Sequence, residues 1–210
     1  MFYPLHTHSP SYGLPNEAVT TTPPSLTPRP PEWSRAQPFD KLAEAYSRIH
    51  AMGGQVFTLR LELDALICVT GSRHPSRTMS RRIQRAFKRA GLPCPPLAFA
   101  LEVTTDDRNE LHLHGAILLG NLDLMAVKKV LRNAAGYISG RAGSRQVQIK
   151  NFNIENGGPR GWAAYVRPYA ARTRRVIGHD RVTYISSEAR QFARRRWNLR
   201  RREHQNYRVN

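Results

Sequence analysis

The run Leu111–Leu118 (LHLHGAIL) places two histidines, separated by one leucine, inside an apolar stretch. Such a stretch predicts a buried β-strand, in which successive side chains alternate between the two faces of a sheet. His112 and His114 therefore point to one face, while Leu111, Leu113 and Ile117 point to the other. Two imidazoles side by side on a sheet form a natural pair of metal ligands. Two histidines on the solvated face of an amphipathic strand would give the same pattern.

A second strand is predicted just before this one. Leu97–Thr104 alternates large and small apolar residues, and Glu102 falls on the face of the small ones. The polar residues 105–110 predict a turn that joins the two strands. If the strands pair antiparallel, Glu102 shares a face with His112 and His114, and its carboxylate supplies the hard oxygen ligand that a divalent cation needs. An exposed glutamate on a solvated face is the alternative.

The remaining pattern predicts further strands and helices around this pair. The clearest strand is Gln55–Leu63, because its apolar residues alternate with polar ones. The other predicted elements are helices over 40–50, 76–90 and 121–135 (with Asn121 as N-cap), strands over 146–153 and 181–185, a helix that opens at Gly157-Gly158-Pro159 and is interrupted or kinked by Pro168, and a last basic helix capped by Ser186 or Ser187.

The charge of the chain favours a polyanionic partner. Lys and Arg number 33 against 15 Asp and Glu, which gives a formal net charge of +18. Arginine grips phosphate with two hydrogen bonds at once, so nucleic acid is the first partner to consider. The predicted helix 76–90 concentrates this charge in Arg81, Arg82, Arg85, Lys88 and Arg89, which fits either contacts to a DNA backbone or a solvated helix face. A non-specific basic protein would have the same composition.

Residues 1–38 predict a disordered tail, followed by one domain over 39–210. Nine of the fifteen prolines lie in this tail, and proline at that density blocks both helices and strand pairing. The tail also contains His6-Thr7-His8, which has the spacing of the central pair but no surrounding strand. We therefore exclude it as a metal site.

Cysteine usage and hydropathy limit the class of protein. Cys68 and Cys94 do not form a C-x-x-C pattern, so a zinc ribbon is not supported and free thiols are favoured over a single disulfide. No apolar run approaches the roughly 20 residues of a membrane span, and no secretory signal is evident. We expect a soluble cytoplasmic protein.

Two tyrosines on the helix that follows Pro159 suggest a nucleophile. Tyr165 and Tyr169 are four residues apart, which places them about one turn apart on one helix face. Tyrosine is a poor nucleophile at its ordinary pKa of about 10. Against a phosphodiester it becomes competent when a cation polarises the phosphate and the phenol loses its proton. These residues therefore suggest a transesterification in which tyrosine attacks phosphorus and a DNA 3′-hydroxyl leaves.

The residues Phe57-Thr58-Leu59, His112-Leu113-His114-Gly115 and Tyr165-Val166-Arg167-Pro168-Tyr169 resemble the three successive motifs of the HUH endonucleases, in particular rolling-circle replication initiators. The resemblance spans roughly residues 55–185. It implies an α+β fold with a central antiparallel sheet and helices packed on one face. It also implies that His112, His114 and Glu102 hold Mg or Mn, and that Tyr165 and Tyr169 form a two-tyrosine nucleophile motif.

The chain departs from the family pattern beside the tyrosines. In the two-tyrosine motif a lysine usually follows each tyrosine by three residues, whereas this chain has Pro168 and Arg172. Arg172 can neutralise a phosphate but cannot easily relay a proton, because guanidinium does not deprotonate. We therefore favour Tyr165 as first nucleophile, and Tyr169 is either the second nucleophile or a packing or DNA-stacking residue.

The resemblance implies an enzyme that nicks single-stranded DNA at an origin, forms a 5′-phosphotyrosine bond and later rejoins the strand. Rolling-circle replication of a plasmid or phage is the implied process, with origin DNA as substrate and host helicase and polymerase as further partners. Arg167 and the basic residues of helix 76–90 are the expected DNA contacts, and Trp162 is expected in the core.

Three other functions were weighed. A relaxase or single-strand transposase would share the catalytic core, and a non-enzymatic DNA- or RNA-binding protein would share the charge. A histidine-triad hydrolase is excluded, because the position of its third histidine is occupied by Ala116.

Overall fold

The computed structural model describes residues 29–103 and 111–206, which form an α+β fold around one five-stranded sheet. Its strands are β1 (Gln55–Arg60), β2 (Leu97–Val103), β3 (Leu111–Ile117), β4 (Val147–Lys150) and β5 (Thr183–Ile185), in the spatial order β4-β1-β3-β2-β5. Every neighbouring pair is antiparallel, as the sequence predicts. The helices are α1 (Pro38–Ala51), α2 (Leu63–Thr70), α3 (Pro75–Arg89), α4 (Leu124–Ala135), α5 (Gly140–Gly143), α6 (Gly158–Val166), α7 (Ala170–Ile177) and α8 (Ser187–Asn206).

Helices cover both faces of this sheet. On the face of His114, α6 lies over β3 and contacts α1. On the opposite face, Gln84 of α3 donates a hydrogen bond to the Tyr184 hydroxyl (3.2 Å), and the Tyr184 ring packs against Phe99. The prediction of helices on one face is therefore wrong. Since β2 and β3 are buried at every position, both of their faces need a covering layer.

The first strand is shorter than predicted. β1 ends at Arg60, and α2, which the sequence analysis does not predict, begins at Leu63. The Glu62 carboxylate accepts a hydrogen bond from the backbone N–H of Asp64 (3.0 Å) and so caps this helix. The apolar alternation through Leu61 and Leu63 fits a strand, but the local cap starts a helix instead.

One helix boundary also differs from the prediction. Asp123, rather than Asn121, caps α4, because its carboxylate accepts the N–H of Ala126 at 2.7 Å. The predicted interruption at Pro168 is confirmed, since α6 ends at Val166 and α7 begins two residues after the proline. Proline has no N–H to continue the ladder of helical hydrogen bonds.

Residues 1–28 of the predicted tail and the predicted turn at 105–110 lie outside the described residues. From Arg29 onward the chain packs against α8, where the Trp197 indole donates to the carbonyl of Pro31 (2.8 Å). Cys68 and Cys94 are exposed free thiols. In the described part of the chain, no helix is long and apolar enough to cross a membrane.

Candidate metal and tyrosine site

Antiparallel pairing brings the three candidate metal ligands onto one face of the sheet. Glu102 on β2 lies directly opposite His112 on β3, and His114 follows two residues later on the same face. All three side chains are buried among the central strands. The prediction that Glu102 shares a face with the two histidines is confirmed.

His114 is held from both sides of its ring. Its Nδ1 atom lies 3.2 Å from the Thr58 hydroxyl, which belongs to the opposing position on β1. Its Nε2 atom lies 3.4 Å from Oε2 of Glu102. The hydroxyl therefore fixes the ring orientation that turns Nε2 toward the carboxylate. The His112 ring is nearly perpendicular to the His114 ring, with 6.2 Å between the two ring centroids.

Burial sets the protonation of this cluster. Glu102 is only 6% exposed, and burial raises its pKa to about 7. Burial also lowers the pKa of His114 to about 4, with a further contribution from His112. Both shifts favour neutral side chains, because a low-dielectric environment penalises charge. A neutral imidazole is the form that binds a metal ion.

The donor set fits a divalent cation in its chemistry. Oε2 of Glu102 is buried and accepts no hydrogen bond from a described residue, and Nε2 of His112 is buried beside it. A buried carboxylate oxygen needs a proton or a cation for compensation, and two imidazoles with one carboxylate suit Mg or Mn. Among residues 29–103 and 111–206, no three His, Cys, Asp or Glu side chains already lie close enough to enclose an ion. Binding therefore requires one of the three side chains to rotate toward the other two.

Tyr165 lies against this cluster. Its ring centroid is 5.5 Å from that of His114, and it stacks on Trp162 with 5.7 Å between centroids and 9° between ring planes. The Tyr169 ring follows at 6.0 Å, although it lies beyond the end of α6. The Tyr165 side chain remains 49% exposed. Burial, Glu102 and Tyr169, in that order, raise its pKa above the ordinary value.

One hydrogen bond joins α6 to the sheet, and another joins α1 to it. The Trp162 indole donates to the Gly115 carbonyl (3.1 Å), and the Tyr46 hydroxyl of α1 donates to the His114 carbonyl (2.8 Å). A side chain at Gly161 would collide with the carbonyl of Asn156. The Trp162 hydrogen bond therefore holds α6, and with it Tyr165, against β3.

A cleft of about 490 Å³ opens beside Tyr165, between α6, the β4 side of the sheet and the loop that follows β4. Its volume falls in the range of small-molecule sites. Its walls combine aromatic rings with hydrogen-bonding side chains, among them Thr58, Gln148, Asn151, Asn153, Trp162 and Tyr165.

The structure places Arg167 and the basic residues of α3 apart from this cluster. Arg167 lines a different cleft with Phe39 and Trp197, between α6, α1 and α8, whereas Arg172 lies half-buried on α7, which packs against β2. The basic residues of α3 lie on the opposite side of the sheet, beneath strand residues such as Phe99. This group comprises Arg81, Arg82, Arg85, Lys88 and Arg89.

Sequence reasoning missed two contributions to the site. Thr58 was part of a recognised motif but had no assigned role, and its position opposite His114 becomes evident only from the strand register. Trp162 packs against the core, as predicted, but it is only half-buried and also contacts both His114 and Tyr165. Its spacing one turn before Tyr165 was the available signal.

Comparisons with protein-family models, with curated proteins and with solved structures found no match to this chain.

Proposed function

We propose that this protein is a metal-dependent endonuclease and strand transferase of the HUH type, which nicks single-stranded DNA at an origin of rolling-circle replication. The observation that supports this most is the contact between the Tyr165 ring and His114, whose Nε2 faces Glu102. In this contact a half-exposed tyrosine lies beside a buried set of candidate metal ligands. The tyrosine and the histidine are about 50 residues apart in the chain, so the fold rather than the local sequence unites them.

The reaction is a transesterification. The Tyr165 oxygen attacks phosphorus and forms a phosphotyrosine ester, while the bond from phosphorus to the 3′-oxygen breaks. The phenol releases its proton to solvent, to which Tyr165 is half exposed, and the departing 3′-oxygen takes up a proton to become a hydroxyl. The ester conserves the energy of the broken bond, so that a 3′-hydroxyl can later reseal the strand.

The cation site has a defined role in this scheme. His112, His114 and Glu102 would hold Mg or Mn, which supplies neutralisation of the phosphate charge and counters the raised pKa of Tyr165. Thr58 keeps the His114 ring in place. Arg172, three residues after Tyr169, is assigned to phosphate neutralisation without proton relay.

The surroundings of Tyr165 favour a single strand as substrate. Proteins that bind single strands stack bases on aromatic rings. Trp162, Tyr165 and Tyr169 present such rings in one row, and the adjoining cleft offers amide groups for hydrogen bonds to a base. Tyr169 is positioned either to stack a base or to accept the strand in a second transfer.

The test is formation of a covalent adduct. The purified full chain is incubated with Mn²⁺ and a pool of single-stranded oligonucleotides that includes randomised sequences, and denaturing gels are used to detect a protein–DNA adduct. We expect an adduct in the wild type that EDTA and Tyr165→Phe both abolish. Tyr184→Phe is the matched control, since Tyr184 is a half-buried tyrosine of β5 that lies on the opposite face of the sheet and does not line the Tyr165 cleft.

Two results would contradict the proposal. An adduct that persists in Tyr165→Phe would remove the assigned nucleophile. Absence of an adduct across the randomised pool, with salt-sensitive DNA binding intact, would favour the non-enzymatic binding protein. A relaxase or transposase would form the same adduct, and the structure of the preferred DNA target would distinguish it from an initiator.

A further inference from the structure

A groove of about 820 Å³ runs between α3 and α4, on the side of the sheet opposite Tyr165. The two helices are joined across its floor by Arg82, whose Nε donates to the Ala134 carbonyl at 2.8 Å. The polar side chains that line it are Arg82, Arg85, Arg89, Lys129, Asn133 and Tyr137.

The charge of this groove has one sign. Four of its lining residues are Arg or Lys, and none is Asp or Glu. Arg85, Arg89 and Lys129 are exposed. In the described parts of the chain, no carboxylate forms an ion pair with any of these three. Concentrated positive charge without internal compensation attracts a polyanion and releases counterions when one binds.

The spacing of the arginines suits a phosphate backbone. Arg82, Arg85 and Arg89 lie at positions i, i+3 and i+7 of α3, which spans about 10 Å at 1.5 Å per residue. Projected on the axis of a duplex, this length covers about three phosphates of one strand at 3.4 Å per phosphate. Guanidinium groups and the Asn133 amide supply the donors that most protein–DNA contacts use toward phosphate oxygens.

Aromatic content distinguishes this groove from the Tyr165 face. Single-strand binding uses rows of aromatic side chains on which bases stack. The only aromatic side chain that lines the groove in the described structure is Tyr137, whereas Trp162, Tyr165 and Tyr169 form a row on the other face.

We infer that the α3–α4 groove binds the sugar–phosphate backbone of duplex DNA, at a site separate from Tyr165. This binding does not depend on the proposed nicking reaction.

The test compares two variants of α3 that each remove two positive charges. Arg85→Gln/Arg89→Gln changes the groove, and Arg81→Gln/Lys88→Gln changes exposed residues of the same helix that do not line it. Binding of a short blunt-ended duplex of arbitrary sequence to the full chain is followed by fluorescence anisotropy over a range of NaCl concentrations. Thermal melting by circular dichroism checks that both variants are folded.

We expect the groove variant to bind the duplex at least about tenfold more weakly at low salt. Its slope of log affinity against log salt should fall in magnitude by about 2, at roughly 0.9 for each lost phosphate contact. The control variant should lose less than half as much duplex affinity as the groove variant. Both variants should form the tyrosine adduct on a short single strand as the wild type does.

Four outcomes would overturn the inference. Equal losses in both variants would indicate general charge attraction, and no loss in the groove variant would remove the site. If the groove variant loses affinity for a single strand to the same degree as for the duplex, the duplex assignment would be contradicted. If the groove variant binds polyglutamate more weakly while its duplex binding is unchanged, the groove would instead fit an acidic protein partner. Because adduct formation is measured separately, none of these results bears on the nicking reaction.

Discussion

Thr58 and His114 occupy directly opposing positions on β1 and β3, and the Thr58 hydroxyl lies 3.2 Å from Nδ1 of His114. This contact leaves Nε2 of His114 directed at Glu102. A ligand histidine whose other ring nitrogen is held by a neighbour is fixed in both orientation and tautomer. Strand register therefore connects the Phe57-Thr58-Leu59 segment to the chemistry of the histidine pair.

Thr58→Val tests this relationship. The substitution keeps the shape of the side chain but removes the hydroxyl, so the His114 ring loses its support. We expect Mn²⁺ affinity, measured by isothermal titration calorimetry, to fall about 10- to 100-fold. Thr183→Val changes a threonine of β5 on the same face of the sheet as Thr58, and it should leave the affinity unchanged. Equal affinity of wild type and Thr58→Val would contradict the assigned role.

Glu102→Gln tests the buried carboxyl. Burial raises the pKa of Glu102 from 4.5 to about 7 in the folded protein. Because this pKa is higher in the folded than in the unfolded state, the protonated carboxyl stabilises the fold. This stabilisation is fully present below about pH 4.5 and is lost as the pH rises through about 7. The free energy of unfolding of the metal-free wild type should therefore fall by roughly 3 kcal/mol between pH 5 and pH 8, relative to that of the variant. The change is measured as a shift in Tm.

The same experiment includes a control and a metal condition. Glu203→Gln, which changes an exposed carboxyl on α8, should show no such pH-dependent difference. Mn²⁺ at pH 8 should raise the Tm of the wild type but not of Glu102→Gln, because only an ionised carboxylate compensates the cation. A wild type that is unaffected by Mn²⁺ would argue against a metal at this site.

Trp162 is expected to position Tyr165. Trp162→Leu removes both the ring that stacks on Tyr165 and the hydrogen bond to the Gly115 carbonyl, whereas Trp162→Phe removes only the hydrogen bond. Aromatic pairs contribute about 0.5–1.5 kcal/mol, so we expect adduct formation to slow by about two- to tenfold in Trp162→Leu and less in Trp162→Phe. Trp33→Leu, which disturbs an aromatic pair with Trp197, should leave this rate unchanged. An unaltered rate in Trp162→Leu would show that stacking does not position the nucleophile.

Gly115→Ala tests the close packing behind the histidines. A Cβ atom at this position would collide with the Phe57 ring and with the Ala98 carbonyl on β2. Overpacking of this kind costs about 1–3 kcal/mol, which should appear as a lower midpoint in urea unfolding. Gly71→Ala is the control, because Gly71 follows α2 at a φ of −74° that alanine adopts readily. A midpoint in Gly115→Ala equal to that of the wild type would contradict the close approach of β1 and β2 to β3.

The common face of the candidate metal ligands could be predicted because the alternation of side chains along a strand is a local rule. His112 and His114 are two residues apart on a strand, so their common face follows from the sequence. Glu102 joined them once the two strands were paired as an antiparallel unit. The Thr58 contact needed the register of a third strand, which the sequence does not determine.

The arrangement of helices was harder to predict because their order along the chain does not state which face they cover. The arginines of α3 were expected near the DNA substrate, but α3 lies on the opposite side of the sheet from Tyr165. Pro168 was recognised as an interruption, yet only the fold shows that Tyr165 and Tyr169 remain neighbours across the break. Local caps also moved two boundaries, because the Glu62 cap overrode the apolar pattern of the first strand and Asp123 caps α4 in place of Asn121.

Identification of the residue that carries DNA in the adduct tests the central claim most directly. The isolated adduct is digested with nuclease and trypsin, and the peptide Gly161–Arg172, which contains both Tyr165 and Tyr169, is sequenced by fragment-ion mass spectrometry. The proposed mechanism predicts a nucleotide attached to the Tyr165 oxygen. A nucleotide found only on Tyr169, or on a residue outside this peptide, would contradict it.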